Sequence, residues 1–206
     1  MEEDKIIRAF IAIELPAKIS EELNRVQKEL KDGVNKVTWI KTGNVHLTIK
    51  FLGDIEAKKV NSIEQVLESV ACKSHVFNIT IKRTGVFPSM DSPRIIWVGV
   101  EENGANLAQL YNNLEDSLTT LGFEKEERTF KPHLTMGRIK FLKDKKLLKQ
   151  RLEKNADINL GQFAVDSLYL FESKLTPEGA VYTKLKEAKL KTGNREQERG
   201  KSFSLS

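Results

Sequence analysis

Apolar and polar positions along this chain run through one pattern and then repeat it. "KIIRAFIAIEL", Lys5 to Leu15, is a short isoleucine-rich run that predicts a strand. Pro16 suits the first turn of a helix, where its missing N–H would have no partner. Ile19, Leu23, Val26 and Leu30 follow at helical spacing, and Gly33 closes that stripe. "VHLTIKFLG" predicts the next strand, and Val60, Ile63, Val66, Leu67 and Val70 predict a helix from about Glu56 to Ala71. "VFNITIKRTGVF" alternates as a strand does, and "FPSMDSP" is the turn after it. The series then restarts. "RIIWVGVEE" predicts a strand, and Leu107, Leu110, Leu114, Leu118 and Leu121 form a helical stripe ended by Gly122. "FKPHLTMGRIKF" predicts a strand and Lys143 to Lys154 a lysine-rich helix. "QFAVDSLYLFES" reads as one strand, Pro177 and Gly179 mark a turn, and "AVYTKLKEA" closes the series.

The repeat is in register. His133 minus His46 is 87, and the same shift lays "FIAIE" (Phe10 to Glu14) on "WVGVE" (Trp97 to Glu101) without a gap before the two His-Leu-Thr triplets. Two halves of one domain related by a pseudo-twofold axis account for this. Hairpin signals around Pro88 and Pro177 favour antiparallel pairing. The expected class is α+β: a bilobal duplication with two largely antiparallel sheets facing a central cleft and helices outside. Residues 1–188 are expected to form this single domain. Residues 189–206 read as a basic tail, which lacks periodic apolar positions and is expected to be disordered.

Composition narrows the classes. The length, 206 residues, supports a core without staples. The single cysteine, Cys72, cannot form an internal disulfide; it is expected to be a small buried hydrophobe in a reducing compartment. "MEEDKIIRAF" lacks a signal-peptide layout and no apolar run is long enough to span a bilayer, so a cytoplasmic protein with no membrane partner is expected. Net charge is +5, but from Lys184 onward seven Lys/Arg face three Glu, a surplus of 4 that leaves the body at 5 − 4 = +1. The isoelectric point therefore says little about a nucleic-acid-binding face on the fold, although the tail could help attract RNA.

The triplets carry the candidate chemistry. Residues i and i+2 of a strand share a face, so His46 points with Thr48 and His133 with Thr135, while Leu47, Ile49 and Leu134 point into apolar packing. A twofold would set the pairs against each other across the cleft. A lone histidine on a strand is usually structural, and His75 is read so; two of three histidines carrying the same Leu-Thr is not what composition produces. Zinc fits poorly, because no carboxylate or cysteine falls at matching spacing to complete three or four ligands. No serine elbow is visible for a hydrolase triad. Phosphodiester cleavage without a metal fits: one imidazole takes a proton from the nucleophile, the other protonates the leaving oxygen, and the threonine hydroxyls donate to the non-bridging oxygens.

"HLTIKFLG" and "PHLTMGRIK", with the early "RAFIAIELP" strand, resemble the two-histidine phosphoesterases, most closely the RNA 2′,3′-cyclic phosphodiesterase branch also called 2′-5′ RNA ligase. The resemblance runs to about Lys186. It implies a bilobal fold, a central cleft holding both motifs, and opening of a terminal 2′,3′-cyclic phosphate on RNA to a 2′-phosphate with no cofactor or metal. Carried over, His46 and His133 are the catalytic pair; Thr48, Thr135 and Arg138 bind substrate. His133 is assigned as base for water and His46 as acid for the departing 3′ oxygen. The implied partners are RNA 3′ ends bearing the cyclic phosphate, tRNA halves among them, and a monomer is expected. The same site could join tRNA halves through a 2′-5′ linkage, or hold an RNA end without cleaving it.

Several neighbours carry two readings. Arg138 lies at an odd offset from His133, so a regular strand aims it away from the cleft; a bulge at Gly137 would restore its direction. Lys50 shares parity with His46 and could add charge, or be an ordinary solvated lysine. Phe51 has core parity, whereas resemblance suggests stacking on a nucleobase. Arg128 could approach RNA phosphates or sit in a loop salt bridge. Trp39 and Trp97 are read as core.

Overall fold

The helices form where the stripes place them. In the computed structural model, which describes residues 5–31, 33–177 and 179–193, Ile19, Leu23, Val26 and Leu30 are buried on helix α1 (Ala17–Leu30). Helix α2 (Val60–Ala71) buries Ile63, Leu67 and Val70, and α3 (Asn106–Leu118) buries Leu107, Leu110, Leu114 and Leu118. Helix α4 (Lys145–Lys154) opens on Asp144, whose carboxylate accepts from the Leu147 amide at 2.9 Å and so satisfies a free helix donor. Among the described residues no helix is long and apolar enough to cross a membrane.

Among the described residues nine strands make one antiparallel sheet. In chain order they are β1 (Ile6–Ile13), β2 (Lys36–Trp39), β3 (Leu47–Glu56), β4 (Phe77–Phe87), β5 (Ile95–Glu101), β6 (His133–Phe141), β7 (Asn159–Val165), β8 (Ser167–Thr176) and β9 (Gly179–Lys189). Their order across the sheet is β7-β4-β5-β6-β3-β1-β8-β9, with β2 added on β6. The two expected sheets are thus half-sheets of one, and they meet at a single pair, Leu47 opposite Leu134. Those leucines are also 87 apart. An antiparallel pair between equivalent residues lies on the pseudo-twofold axis, so the fold is a bilobal α+β duplication.

The lobes are not the two sequence halves. Strand β4 lies between β5 and β7 in the second lobe, and β8 pairs with β1 in the first. Shifting β4 by 87 gives residues 164–174, which overlap β8, so the halves exchange equivalent strands. The helices follow: α1 packs on α4 and β7, while α2 packs on α3, β8 and β9.

The four helices among the described residues cover one face. Ile7, Ala9, Ile11 and Ile13 alternate along β1 into the core shared with the helices. Phe10 and Ala12 point to the opposite face and pack with Phe171 in a separate cluster. That second face is the cleft face.

Some elements differ from expectation. "QFAVDSLYLFES" breaks at Asp166 into β7 and β8, which lie in different lobes. No glycine or proline marks the break; the Asp166 carbonyl accepts from the Leu190 amide at 2.7 Å. Strand β2 was not anticipated, being four residues long. Strand β3 continues to Glu56, turning through Gly53 at φ 71°, so α2 starts later than the stripe suggested. Cys72 is exposed at the C-terminal cap of α2, where its thiol donates to the Ser69 carbonyl at 3.2 Å. Beyond β9, Leu190 is buried, and Lys191 exchanges main-chain hydrogen bonds with Ser74 and Val76. The remainder of the expected tail, 194–206, lies outside the described residues.

Candidate active site

Leu47 and Leu134 are fully buried on the helix face, so the residues flanking each point to the cleft. The pairing of the two leucines sets His46 across from Thr135 and Thr48 across from His133. The histidines are then diagonal neighbours, with backbones on the order of 7–8 Å apart where such pairing is regular. Four polar side chains thus gather around the twofold axis, on the face the core does not use.

Both rings are fixed in the same way. The His46 Nδ1–H donates to the Asn44 carbonyl at 2.9 Å, and the His133 Nδ1–H donates to the Lys131 carbonyl at 2.7 Å. In each case the acceptor is a carbonyl two residues earlier. A carbonyl cannot donate, so Nδ1 holds the proton and Nε2 is the free, proton-accepting nitrogen.

Their surroundings differ. His46 stacks on Phe10 with centroids 4.6 Å apart, and Tyr182 meets it edge-on at 5.2 Å. This burial pushes the His46 imidazole down to about 4, against the Asn44 carbonyl, which favours the charged form. Among the described residues the one aromatic ring against His133 is Phe87, nearly perpendicular to it at 4.9 Å. Trp97, the counterpart of Phe10 under the 87-residue shift, packs instead on Phe87 and over Gly85, where a Cβ would fall 2.3 Å from the indole. Trp97 therefore belongs to the cleft face and is only partly buried, contrary to the core reading, whereas Trp39 does pack against the core.

Bulges decide the remaining positions. Along β6, Thr135 pairs with Trp97 and Gly137 with Ile96, leaving Met136 as the extra residue. The bulge shifts the parity, so Thr135 and Arg138 both line the cleft while Met136 is buried. Gly137 has no room for a side chain: a Cβ would come within 2.8 Å of Val37. Arg138 reaches far enough that its guanidinium favours ionisation of the Tyr182 phenol, which burial otherwise raises.

On β3, Ala12 pairs with Thr48 and Ile11 with Lys50, and Ile49 is the extra residue. This turns Lys50 to the helix face and Phe51 to the cleft. Lys50 is buried and donates to both Glu115 oxygens at 2.7 and 2.8 Å and to the Glu124 carbonyl at 2.8 Å. It adds no charge to the cleft, contrary to its parity. Phe51, expected in the core, is 68% exposed and lines the cleft.

One cavity holds Phe10, His46, Thr48, Phe51, Thr135, Arg138 and Tyr182, with Arg8 at its edge. His133 is not on its wall; it stands across the axis, beside Thr48 in register. Arg128 lies on an exposed loop, 3.9 Å from Glu126, and does not line this cavity. His75 hydrogen-bonds the Gly193 carbonyl at 2.8 Å, a structural contact. Phe10, Tyr182 and Arg8 went unrecognised in the sequence. The signal for Phe10 was available: an aromatic stands at equivalent positions in both strands that precede the triplets. Among the described residues no group of three or more His, Cys, Asp or Glu could hold a metal ion.

Comparisons with known proteins agree with the duplication. A family model described as "LigT like Phosphoesterase" matches twice in tandem, over residues 13–97 and 98–182. The chain is 36% identical over 181 residues to the RNA 2′,3′-cyclic phosphodiesterase of Methanocaldococcus jannaschii, covering 88% of this chain and 99% of that one. Among solved structures, TT0787 of Thermus thermophilus superposes with a TM-score of 0.77 at 23% identity, over 91% of this chain and all of that one. E. coli LigT complexed with 3′-AMP superposes with a TM-score of 0.73 at 25% identity, over 90% and 99% of the two chains.

Proposed function

The chain belongs to the LigT-like phosphoesterase family, and from that premise we propose that it is an RNA 2′,3′-cyclic phosphodiesterase that opens the terminal ring to a 2′-phosphate with its two histidines and no metal. The observation that carries this reading is the pair of His-Thr couples related by the Leu47–Leu134 axis, each imidazole anchored through Nδ1. The relative named for this activity covers most of the chain, and E. coli LigT accommodates a nucleotide with a 3′-phosphate.

His133 removes a proton from water, whose oxygen bonds to phosphorus. The P–O3′ bond breaks, and His46 gives a proton to the departing 3′ oxygen. Thr48, Thr135 and Arg138 hold the non-bridging oxygens. In the free protein His46 is neutral at neutral pH, so as the acid it must acquire its proton with the substrate. One phosphodiester charge at about 4 Å is worth about 4 kcal/mol at an effective dielectric of 20, or about three pKa units. That offsets the burial. With the roles reversed the 2′ oxygen would leave and the product would be a 3′-phosphate.

Turnover of 2′,3′-cyclic nucleotides by the wild type, His46→Ala and His133→Ala tests the proposal. Each variant is expected to lose roughly a hundred- to ten-thousand-fold, without the losses multiplying in the double variant. Chelator should leave the rate unchanged and the product should carry its phosphate at the 2′ position. Loss of activity in chelator with recovery on adding zinc would rule the mechanism out.

A further inference from the structure

The cleft continues past the reacting centre. Along β1 the side chains on the cleft face, counted outward from His46, are Phe10, Arg8 and Ile6. Phe10 pairs with Phe171, so the matching row on β8 is Phe171, Ser173 and Leu175. Ile6 is 58% exposed, Phe51 68% and Leu175 78%, which leaves large apolar side chains open on one side of the cavity. Arg8 stands among them and lines the cavity that holds His46 and Thr48.

Arg8 makes no ion pair among the described residues, although Asp54 faces it in the strand ladder. Arg25 and Arg83, by contrast, hold carboxylates. A guanidinium with no salt bridge among the described residues, set among exposed apolar side chains and continuous with the cavity, suits a ligand that alternates phosphates with flat apolar rings. Single-stranded RNA has that chemistry. Two residues along a strand span about 7 Å, so Arg8 lies one such step beyond the ring stacked on His46, within reach of the far end of the terminal nucleotide.

We propose that Arg8 binds the phosphate on the 5′ side of the terminal nucleotide, with the exposed Ile6–Leu175 patch receiving the base beyond it, so that an RNA strand is preferred over a mononucleotide. This rests on the reading of His46 and His133 as the reacting pair. The lack of a salt bridge to Arg8 among the described residues, and its continuity with the cavity, favour a polyanion over a protein partner.

The test compares kcat/KM for 2′,3′-cyclic AMP and for the dinucleotide ApA ending in a 2′,3′-cyclic phosphate, in the wild type, Arg8→Gln and Arg8→Lys. The wild type should prefer the dinucleotide tenfold or more. Arg8→Gln should lose most of that preference, mainly through KM, and Arg8→Lys should keep part of it. Equal losses on both substrates, or no preference in the wild type, would overturn the subsite. A dimer in solution that buries Ile6 and Leu175 and covers Arg8 would do the same. If the wild type turns over neither compound, the reading of the reaction falls, and the subsite is judged by binding. ApA with a 3′-phosphate should then bind more tightly than 3′-AMP, with the difference lost in Arg8→Gln; equal affinities would overturn it.

Discussion

At the scale of single residues, the two histidines are alike in anchoring and unlike in setting. Both donate Nδ1–H to a carbonyl two residues back. Only His46 is enclosed by Phe10 and Tyr182, and its imidazole is held at about 4 instead of 6.5. A depressed histidine makes the unfolded chain bind more protons than the folded one between those values. The neutral ring's advantage is fully present above pH 6.5 and is lost as pH falls toward 4. It amounts to roughly 3 kcal/mol. Denaturant melts of the wild type and His46→Asn from pH 7 to pH 4 should therefore show a flatter acid slope in the variant; parallel slopes would mean that the ring is not desolvated. The polar half of this site was legible, since a strand's period of two fixes the face of each His-Thr couple. The aromatic enclosure was not, because Tyr182 comes from a strand 136 residues further along the chain than His46.

At the scale of elements, what the sequence concealed is mostly the work of bulges. Helical stripes average over three or four turns and survive a local irregularity. A strand's parity does not, because one extra residue reverses every side chain beyond it. The bulge at Ile49 exchanged the expected places of Lys50 and Phe51, and the bulge at Met136 returned Arg138 to the cleft. Gly137 gave a hint of the second; nothing in "TIKF" announced the first. The buried Lys50 depends on that first bulge and on Glu115 of α3, both side chains being under a tenth exposed. Removing one partner leaves an uncompensated charge indoors, at a cost of about 3–5 kcal/mol. Lys50→Met should lose about that much in urea unfolding at pH 7, and Lys50→Met with Glu115→Met should recover most of it. A small effect of the single change would show that water reaches the pair.

At the scale of the whole molecule, the repeat is plain in the sequence but its exchange is not. A repeated sequence suggests two lobes that each fold from their own half. Here each half gives a strand to the other, β4 outward and β8 in return, and α1 and α3 also pack across the boundary. Lys50 of the first half meets Glu115 of the second inside one core. Gln27 on α1, itself buried, donates to the Met136 carbonyl on β6 at 3.1 Å. Neither half can therefore satisfy its own strands. In a fragment of residues 1–92, β1 has no β8 on its outer edge and β4 has neither β5 nor β7. Such a fragment, and its complement 93–206, should each lack dispersed amide signals and a cooperative melt. Mixed in equal amounts, they should refold together and regain the activity of the intact chain, because the axis at Leu47 and Leu134 needs one leucine from each. A cooperative melt of residues 1–92 alone would mean that the first half makes its own lobe, and the exchanged strands would then be incidental to stability.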